Sequence, residues 1–142
     1  MLSLVSLKKA IVDKLRVLNI KIIANEVKSG FEKPAFFISL IPISNDTGID
    51  MQERVITVNI HYFSKEKTDI DNLKMIDNLN NLFINCIEVE DRVLTLYEKR
   101  GELEDNVLQY KFDLRFTESI KSSLLDDDLA PSSNDDFEFK LY

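Results

Sequence analysis

The stretch VLQYKFDLRF, residues 107–116, decides the fold class, because apolar and polar side chains alternate along its whole length. One face of this stretch carries the apolar side chains Leu108, Tyr110, Phe112, Leu114 and Phe116. The opposite face carries the polar side chains Gln109, Lys111, Asp113 and Arg115. A period of two residues is typical of a β-strand with one face on a core. The stretch therefore predicts a half-buried strand.

The same alternation recurs at residues 54–63 and predicts a second half-buried strand. Residues 93–97 are also predicted to be a strand, which pairs with 107–116 as an antiparallel hairpin. Within the long, charged connection of this hairpin, Lys99-Arg100-Gly101-Glu102 is interpreted as a turn, because Gly101 accepts a positive φ.

Shorter apolar runs complete the predicted sheet. Residues 20–24 are rich in β-formers, and residues 35–43 are almost wholly apolar, as in a strand covered on both faces. Pro42 in the second run favours a sheet edge or a strand end. Residues 84–89 fit either a helix end or a short strand.

Two segments show the three- and four-residue spacing of an amphipathic helix. Residues 3–18 begin with Ser3 or Ser6 as the candidate N-cap and end near Asn19. The second helix covers residues 69–83, with Thr68 and Asp69 as its cap candidates. The predicted buried stripes are Leu4, Leu7, Ile11, Leu15 and Leu18 in the first helix and Ile70, Leu73, Ile76, Leu79 and Leu82 in the second. The order of elements predicts an α+β fold, a mostly antiparallel sheet with two helices packed on one face.

The last quarter of the chain differs in composition from the rest. Residues 118–142 hold seven acids and two lysines, a net charge of -5 out of -7 for all 142 residues. We predict one α+β domain over 3–117 and an acidic C-terminal tail over 118–142, either flexible or ordered by assembly. The ending FEFKLY, 137–142, alternates apolar and charged residues, so it fits a strand added to a sheet edge of its own or another subunit. A frayed terminus is the alternative.

The sequence offers few groups for catalysis. His61 and Cys86 are the single histidine and cysteine, which argues against an internal disulfide and a cysteine-based zinc site, and the three glycines are too isolated for a phosphate loop. We therefore expect no enzyme, no metal and no cofactor. A Cys86–His61 dyad is less favoured than a structural thiol beside a strand histidine. A cation site at Asp126–Asp128 is less favoured than a solvated acidic run.

Charge and hydropathy exclude some classes of binding partner and some cellular compartments. The negative balance, with Lys+Arg 18 and Asp+Glu 25, is the opposite of what a phosphate-backbone binder needs, so no nucleic acid is expected to be read by sequence. No stretch is apolar enough to span a membrane, and the apolar start lacks the basic region of a signal peptide. We expect a cytoplasmic protein.

One segment resembles a known family. The run GFEKPAFFI, residues 30–38, is followed by the 54–63 strand with its ending IHYF and then by an amphipathic helix. This order resembles the tail terminator-like proteins of phages and phage-derived contractile particles in low-GC Gram-positive bacteria, in which a Gly-Phe-x-x-Pro-x-Phe-Phe segment recurs. The resemblance covers about residues 3–117, and its motif is a packing pattern rather than a catalytic signature.

The resemblance implies a structural role. Proteins of this family form a ring, usually hexameric, that caps a completed tail tube, stops its polymerisation and faces a neck or collar. The implied partners are copies of the chain itself, the tube and sheath proteins, and a neck or collar protein. The implied location is the bacterial cytoplasm during assembly, and then a virion or a headless bacteriocin-like particle (a tailocin). Tail-completion and head–tail joining proteins share the same size and lack of chemistry.

The aromatic and apolar residues are more numerous around the second strand than one buried face needs, and such residues are enriched at interfaces. The candidates for a subunit or tube interface are Phe31, Pro34, Phe36, Phe37, Phe137, Phe139 and Tyr142. The alternative function is a small non-enzymatic binding or adaptor module whose acidic tail engages a basic partner.

Overall fold

The computed structural model describes residues 2–23, 32–66 and 68–119. The described elements, in chain order, are α1 (Leu4–Leu15), β1 (Lys21–Ile23), β2 (Ala35–Thr47), β3 (Met51–Phe63), α2 (Asp69–Leu82), β4 (Cys86–Val89), β5 (Arg92–Glu104) and β6 (Val107–Ser119). A short 3-10 helix, Arg16–Leu18, extends α1 by less than one turn. The region 84–89, which the sequence left open, contains a strand.

The strands form one six-stranded sheet in the order β1-β2-β3-β6-β5-β4. The β1–β2 pair is parallel, and every other neighbouring pair is antiparallel. The two alternating strands lie side by side at the centre, with Ile56 opposite Leu114 and Ile60 opposite Tyr110. This arrangement confirms the predicted α+β fold with a mostly antiparallel sheet.

A single core lies between the helices and one face of the sheet. It contains Leu7, Ile11 and Leu15 of α1, Met75 and Leu79 of α2, and the alternate apolar residues of β3 and β6. Helix α1 packs against both β2 and β4, although these strands lie far apart in the strand order. The sheet must therefore curl around α1, which explains why a 12-residue helix is buried along a whole stripe.

The predicted helix ends are confirmed by their capping geometry. Ser3 caps α1, because its hydroxyl accepts hydrogen bonds from the backbone amides of Val5 and Ser6. Asn19 closes the helical segment in the left-handed conformation, with φ 57°. Thr68 caps α2 by accepting a hydrogen bond from the amide of Asp71 at 3.2 Å.

The predicted stripe of α2 is confirmed at Ile76, Leu79 and Leu82, which pack in or against the core, and is wrong at its first two positions. Ile70 and Leu73 lie on the exposed side, whereas Asn72, Met75 and Leu79 are buried. The cause is polar. The Tyr62 hydroxyl donates to Asp71 Oδ2 at 3.0 Å, the Ser64 hydroxyl also donates to that oxygen, and the Tyr110 hydroxyl donates to Asn80 Oδ1 at 2.6 Å. These contacts hold the polar side of α2 toward the sheet.

The predicted turn of the β5–β6 hairpin is also wrong. The two strands pair up to Glu104 and Val107, so the turn is Asp105-Asn106, with φ 52° and 63°. Two positive φ values are the geometry of a type I′ turn, and Asp and Asn tolerate them. Gly101 lies inside β5 instead. A Cβ atom at Gly101 would stand 3.3 Å from Ile76 Cδ1, so the glycine lets β5 approach α2 closely.

Candidate assembly interface

The structure separates the three described residues of the predicted interface. Phe36 is fully buried in the core, with its ring centroid 5.4 Å from that of Tyr62. Phe37 points to the opposite face of the sheet, where it is half-buried with its ring 5.4 Å from His61. Pro34 is half-buried just before β2. Pro34 and Phe37 therefore retain surface for a partner, and Phe36 has none.

The other four candidates, Phe31, Phe137, Phe139 and Tyr142, lie outside the described residues. The Asp126–Asp128 run, the other acid-rich feature considered above, also lies outside them.

The Cys86–His61 dyad is not formed. His61 is on β3 and Cys86 begins β4, and strands β6 and β5 lie between them in the sheet. Neighbouring strands are about 4.8 Å apart, so three such steps place the two residues far beyond contact. In the part of the chain that the structure describes, no group of three or more His, Cys, Asp and Glu side chains could hold a metal ion. No helix there is long and apolar enough to cross a membrane.

The sheet face away from the helices carries a ladder of polar pairs. Thr57 donates a hydrogen bond to Asp113 at 2.8 Å, and Asn59 donates to Gln109 at 3.2 Å. Ion pairs link further residues across the strands: Arg100–Asp113 at 3.3 Å, Lys111–Glu102 at 3.7 Å and Arg115–Glu98 at 3.3 Å. Each exposed pair contributes about 0–1 kcal/mol, so these pairs make the face polar but add little to stability.

A different surface is formed by residues 41–51, which we call the distal edge. It comprises the outer half of β2, the connection after it and the first residue of β3, and all eleven residues are exposed. The apolar side chains of the distal edge are Ile41, Ile43, Ile49 and Met51. Ile43 is 57% exposed and Ile49 is 96% exposed, so this surface contains apolar area that the monomer does not bury.

Within the described part of the chain, the distal edge also presents unpaired backbone. Strand β1 pairs only with Ala35–Phe37, so beyond Phe37 no described strand covers the outer side of β2. Such an edge is a template for another strand. The prediction that Pro42 marks an edge position is confirmed, and the register with β3 shifts between Pro42 and Ser44. Proline and a β-bulge both limit how far an edge can pair.

Glu118, which the sequence predicts to begin the acidic tail, is a buried carboxylate that holds together the end of the sheet near the distal edge. Glu118 belongs to β6 and is 5% exposed. Its oxygens accept hydrogen bonds from Gln52 at 3.2 Å, from Arg54 at 3.3 Å and from the amide of Leu2 at 2.5 Å. Arg92 adds an ion pair at 3.2 Å. The network ties the start of α1 to the end of β6.

The two arginines of this network also pack on an aromatic ring. The guanidinium carbons of Arg54 and Arg92 lie 5.4 Å and 5.3 Å from the centroid of Phe116. Cation–π contacts of this kind contribute about 0.5–2 kcal/mol each, depending on desolvation. No local sequence signal identifies Glu118, because its partners lie up to 116 positions away along the chain.

An apolar groove with a basic rim runs between α1 and β1. Its volume is about 650 Å³. The residues that line it are Val5, Lys8, Lys9, Val12 and Arg16 on the helical segment and Ile20, Ile22 and Ile23 at the strand. Val5 is 79% exposed, whereas Val12, Ile20 and Ile22 are half-buried and Ile23 is buried, so part of the apolar lining faces solvent. The sequence predicted the two elements but not the groove between them.

Two core tyrosines have raised pKa values. Burial, together with the hydrogen bond and negative charge of Asp71, raises the pKa of Tyr62 to about 12. Burial raises the pKa of Tyr110 to about 12. Both hydroxyls act as hydrogen-bond donors to α2, and they remain protonated wherever the protein is folded near neutral pH.

Comparison with protein families identifies the chain. A family model described as "Phage tail terminator protein" matches residues 6–123. The chain belongs to the phage tail terminator family. Comparison with curated proteins gives no match. The matched region runs from the first turn of α1 to just beyond β6, so it includes the curled sheet and both helices. Membership of the terminator family gives the chain a structural role in a phage tail.

Proposed function

We propose that this terminator-family chain forms a ring, in six copies, on the end of a phage-like tail tube. The ring stops tube polymerisation and presents a surface to a neck or collar. The tail is contractile, so the sheath is a further partner, and the particle is a virion or a headless tailocin. Assembly begins in the bacterial cytoplasm. The family match supports the tail location. The exposed distal edge is the observation that supports ring formation.

A closed ring needs a head-to-tail interface, in which two different patches of each subunit meet. The distal edge supplies one patch, because it combines exposed isoleucines with a strand edge that no described strand pairs. Pro34 and Phe37 supply the second, because Phe37 keeps apolar surface on the sheet face away from the helices and Pro34 is half-buried just before β2. Adding a strand to an edge gives affinity through backbone hydrogen bonds, while side-chain pockets give specificity.

The distal edge also limits the assembly. Pro42 has no amide hydrogen to donate, and the bulge beside it changes the direction of the strand. Pairing along this edge is therefore short, which favours one defined neighbour over continuous sheet growth.

The test compares two surface variants of matched exposure. Ile43→Asp with Ile49→Asp alters the distal edge, and Ile70→Asp with Leu73→Asp alters α2 at positions that are 66% and 56% exposed. We expect the unaltered chain and the α2 variant to scatter light as a hexamer and to cap tube ends in negative-stain images. The distal-edge variant should remain monomeric and leave the tubes growing.

Each outcome has a separate meaning. Continued tube growth with the unaltered chain, and no density on the tube ends, would overturn the capping function. Normal rings from the distal-edge variant would leave the function standing and overturn its assignment to residues 41–51.

A further inference from the structure

We propose that the groove between α1 and β1 is a docking site for the chain's own acidic, aromatic segment, residues 135–142. This segment follows β6 in the chain and has the sequence DDFEFKLY. In this arrangement Phe137 and Phe139 cover the apolar lining, and the neighbouring acids pair with the basic rim. The proposal does not depend on ring formation.

The groove has the chemistry of an acceptor for such a segment. Its lining is apolar, with Val5 and Val12 on the helix side and Ile20 and Ile22 on the strand side. A volume of about 650 Å³ lies within the usual range of binding clefts, which is about 300–1,000 Å³. Aromatic side chains bury large apolar areas at low entropic cost, so two phenylalanines suit this lining.

The charges of the two segments are complementary. Residues 2–23, which contain α1 and β1, carry five cations and one acid, although the whole chain is at -7. Residues 120–142 carry six acids and two lysines. Lys8, Lys9 and Arg16 stand at the groove itself. The acids Asp135, Asp136 and Glu138 alternate with or adjoin the two phenylalanines, so acidic and aromatic groups reach the groove together.

The structure places the start of the outgoing chain beside the groove. Glu118, the penultimate residue of β6, accepts a hydrogen bond from the amide of Leu2 at 2.5 Å, and Val5 at the groove is three residues further on. The eleven steps from Val5 to Arg16 extend the groove wall by about 16 Å at 1.5 Å per helical residue. Fifteen residues separate Ser119 from Asp135, and a chain of that length spans up to about 50 Å.

The same connection favours the chain's own segment over one from a second copy. A tethered segment is present near its groove at an effective concentration of about 1 mM. A free copy competes only when its own concentration approaches that value. An intrinsic dissociation constant of about 0.1 mM would then be enough to keep the groove about 90% occupied.

Hydrogen exchange of the full-length chain, read by mass spectrometry, tests the proposal. We expect amides of residues 135–142 to exchange about tenfold more slowly than in a variant with Lys8→Glu and Lys9→Glu. The matched control is Lys65→Glu with Lys74→Glu, which makes the same charge change at exposed lysines outside the groove. The control should leave the protection unchanged.

A charge swap keeps the test independent of folding. Adding Asp135→Lys and Asp136→Lys to the groove variant should restore slow exchange, because opposite charges face each other again. Rapid exchange of residues 135–142 in the unaltered chain, or equal protection in the groove variant, would overturn the proposal. Protection that disappears on dilution would also overturn it, since it would show docking between copies.

Discussion

The two halves of the β2–β3 hairpin are similar in backbone pairing and opposite in surroundings. Pairing runs from Ala35 opposite Phe63 to Thr47 opposite Gln52, with one shift near Pro42. In the inner half, Phe36, Ile38 and Ile60 are at most 1% exposed in the core. In the outer half of β2, Ile41 and Ile43 are exposed. An apolar sequence therefore forms the strand in both halves, but only packing against the helices buries it.

The largest expected effect distinguishes neighbouring phenylalanines on the two faces of the inner half. Phe36→Ala should lower the free energy of unfolding by about 4 kcal/mol, because it leaves a cavity beside Tyr62 in the core. The matched change Phe37→Ala should cost at least about 1.5 kcal/mol less, since Phe37 is only half-buried. Urea unfolding curves with equal slopes measure both values. Equal losses would contradict the assignment of the two faces.

The next effect tests how the outer half is anchored on its helix-facing side. Glu118→Ala should lower the free energy of unfolding by about 3 kcal/mol, because it leaves Arg54, Gln52 and the Leu2 amide without their common acceptor. It should also release the start of α1, which hydrogen exchange at Leu4–Leu7 would report.

A carboxylate on the polar face provides the control for Glu118. Glu102 pairs with Lys111 at 3.7 Å, and its side chain is 61% exposed. Glu102→Ala should change the free energy of unfolding by less than about 1 kcal/mol. If both substitutions have the same small effect, the Glu118 network does not anchor the end of the sheet.

The helix ends and the central strands could be predicted because their signals are local. Ser3, Asn19 and Thr68 act on amides or dihedral angles within a few residues, and β6 alternates along its whole length. The Asp105-Asn106 turn also has a local signal, since both residues tolerate positive φ. The sequence instead predicts the turn at Gly101, because glycine is the commoner turn residue. In the structure Gly101 allows close packing against α2.

The exposure of Ile70 and Leu73 at the start of α2 and the role of Glu118 could not be predicted in the same way. Ile70 and Leu73 have the correct helical spacing. However, Asp71 and Asn80 of α2 accept hydrogen bonds from tyrosines on strands β3 and β6. Glu118 stands in an acidic region, and only the folded sheet brings Arg54 and Arg92 to it. Contacts between distant residues decide these features, and one-dimensional periodicity does not contain them.

Alkaline pH should weaken the contacts between the inner half of the sheet and α2. The pKa values of Tyr62 and Tyr110 are about 12 when folded, against about 10 in an unfolded chain. Between these values the folded state binds more protons than the unfolded state, so stability is full below pH 10 and falls as the pH rises toward 12. Two shifts of about two pKa units correspond to about 5 kcal/mol in full, and screening by solvent reduces the expected combined loss to on the order of 2 kcal/mol.

Urea unfolding at several pH values measures this loss. A variant with Tyr62→Phe and Tyr110→Phe lacks both groups, so its stability should fall less steeply between pH 10 and 12 than that of the unaltered chain. Tyr97→Phe is the control, because Tyr97 is exposed on the polar face. The assignment fails if the double variant keeps the full slope.

The smallest expected effect on stability comes from the outer half. Ile43→Thr with Ile49→Thr should change the free energy of unfolding of the monomer by less than about 0.5 kcal/mol, because both side chains are already exposed. Threonine keeps the β-branched shape and the strand preference, so the hairpin itself should persist. Urea unfolding of the dilute monomer provides the measurement, and Ile38→Thr in the buried half provides the contrast. A loss above about 1 kcal/mol would mean that the monomer already packs residues 41–51, which would remove the apolar surface available to a neighbouring subunit.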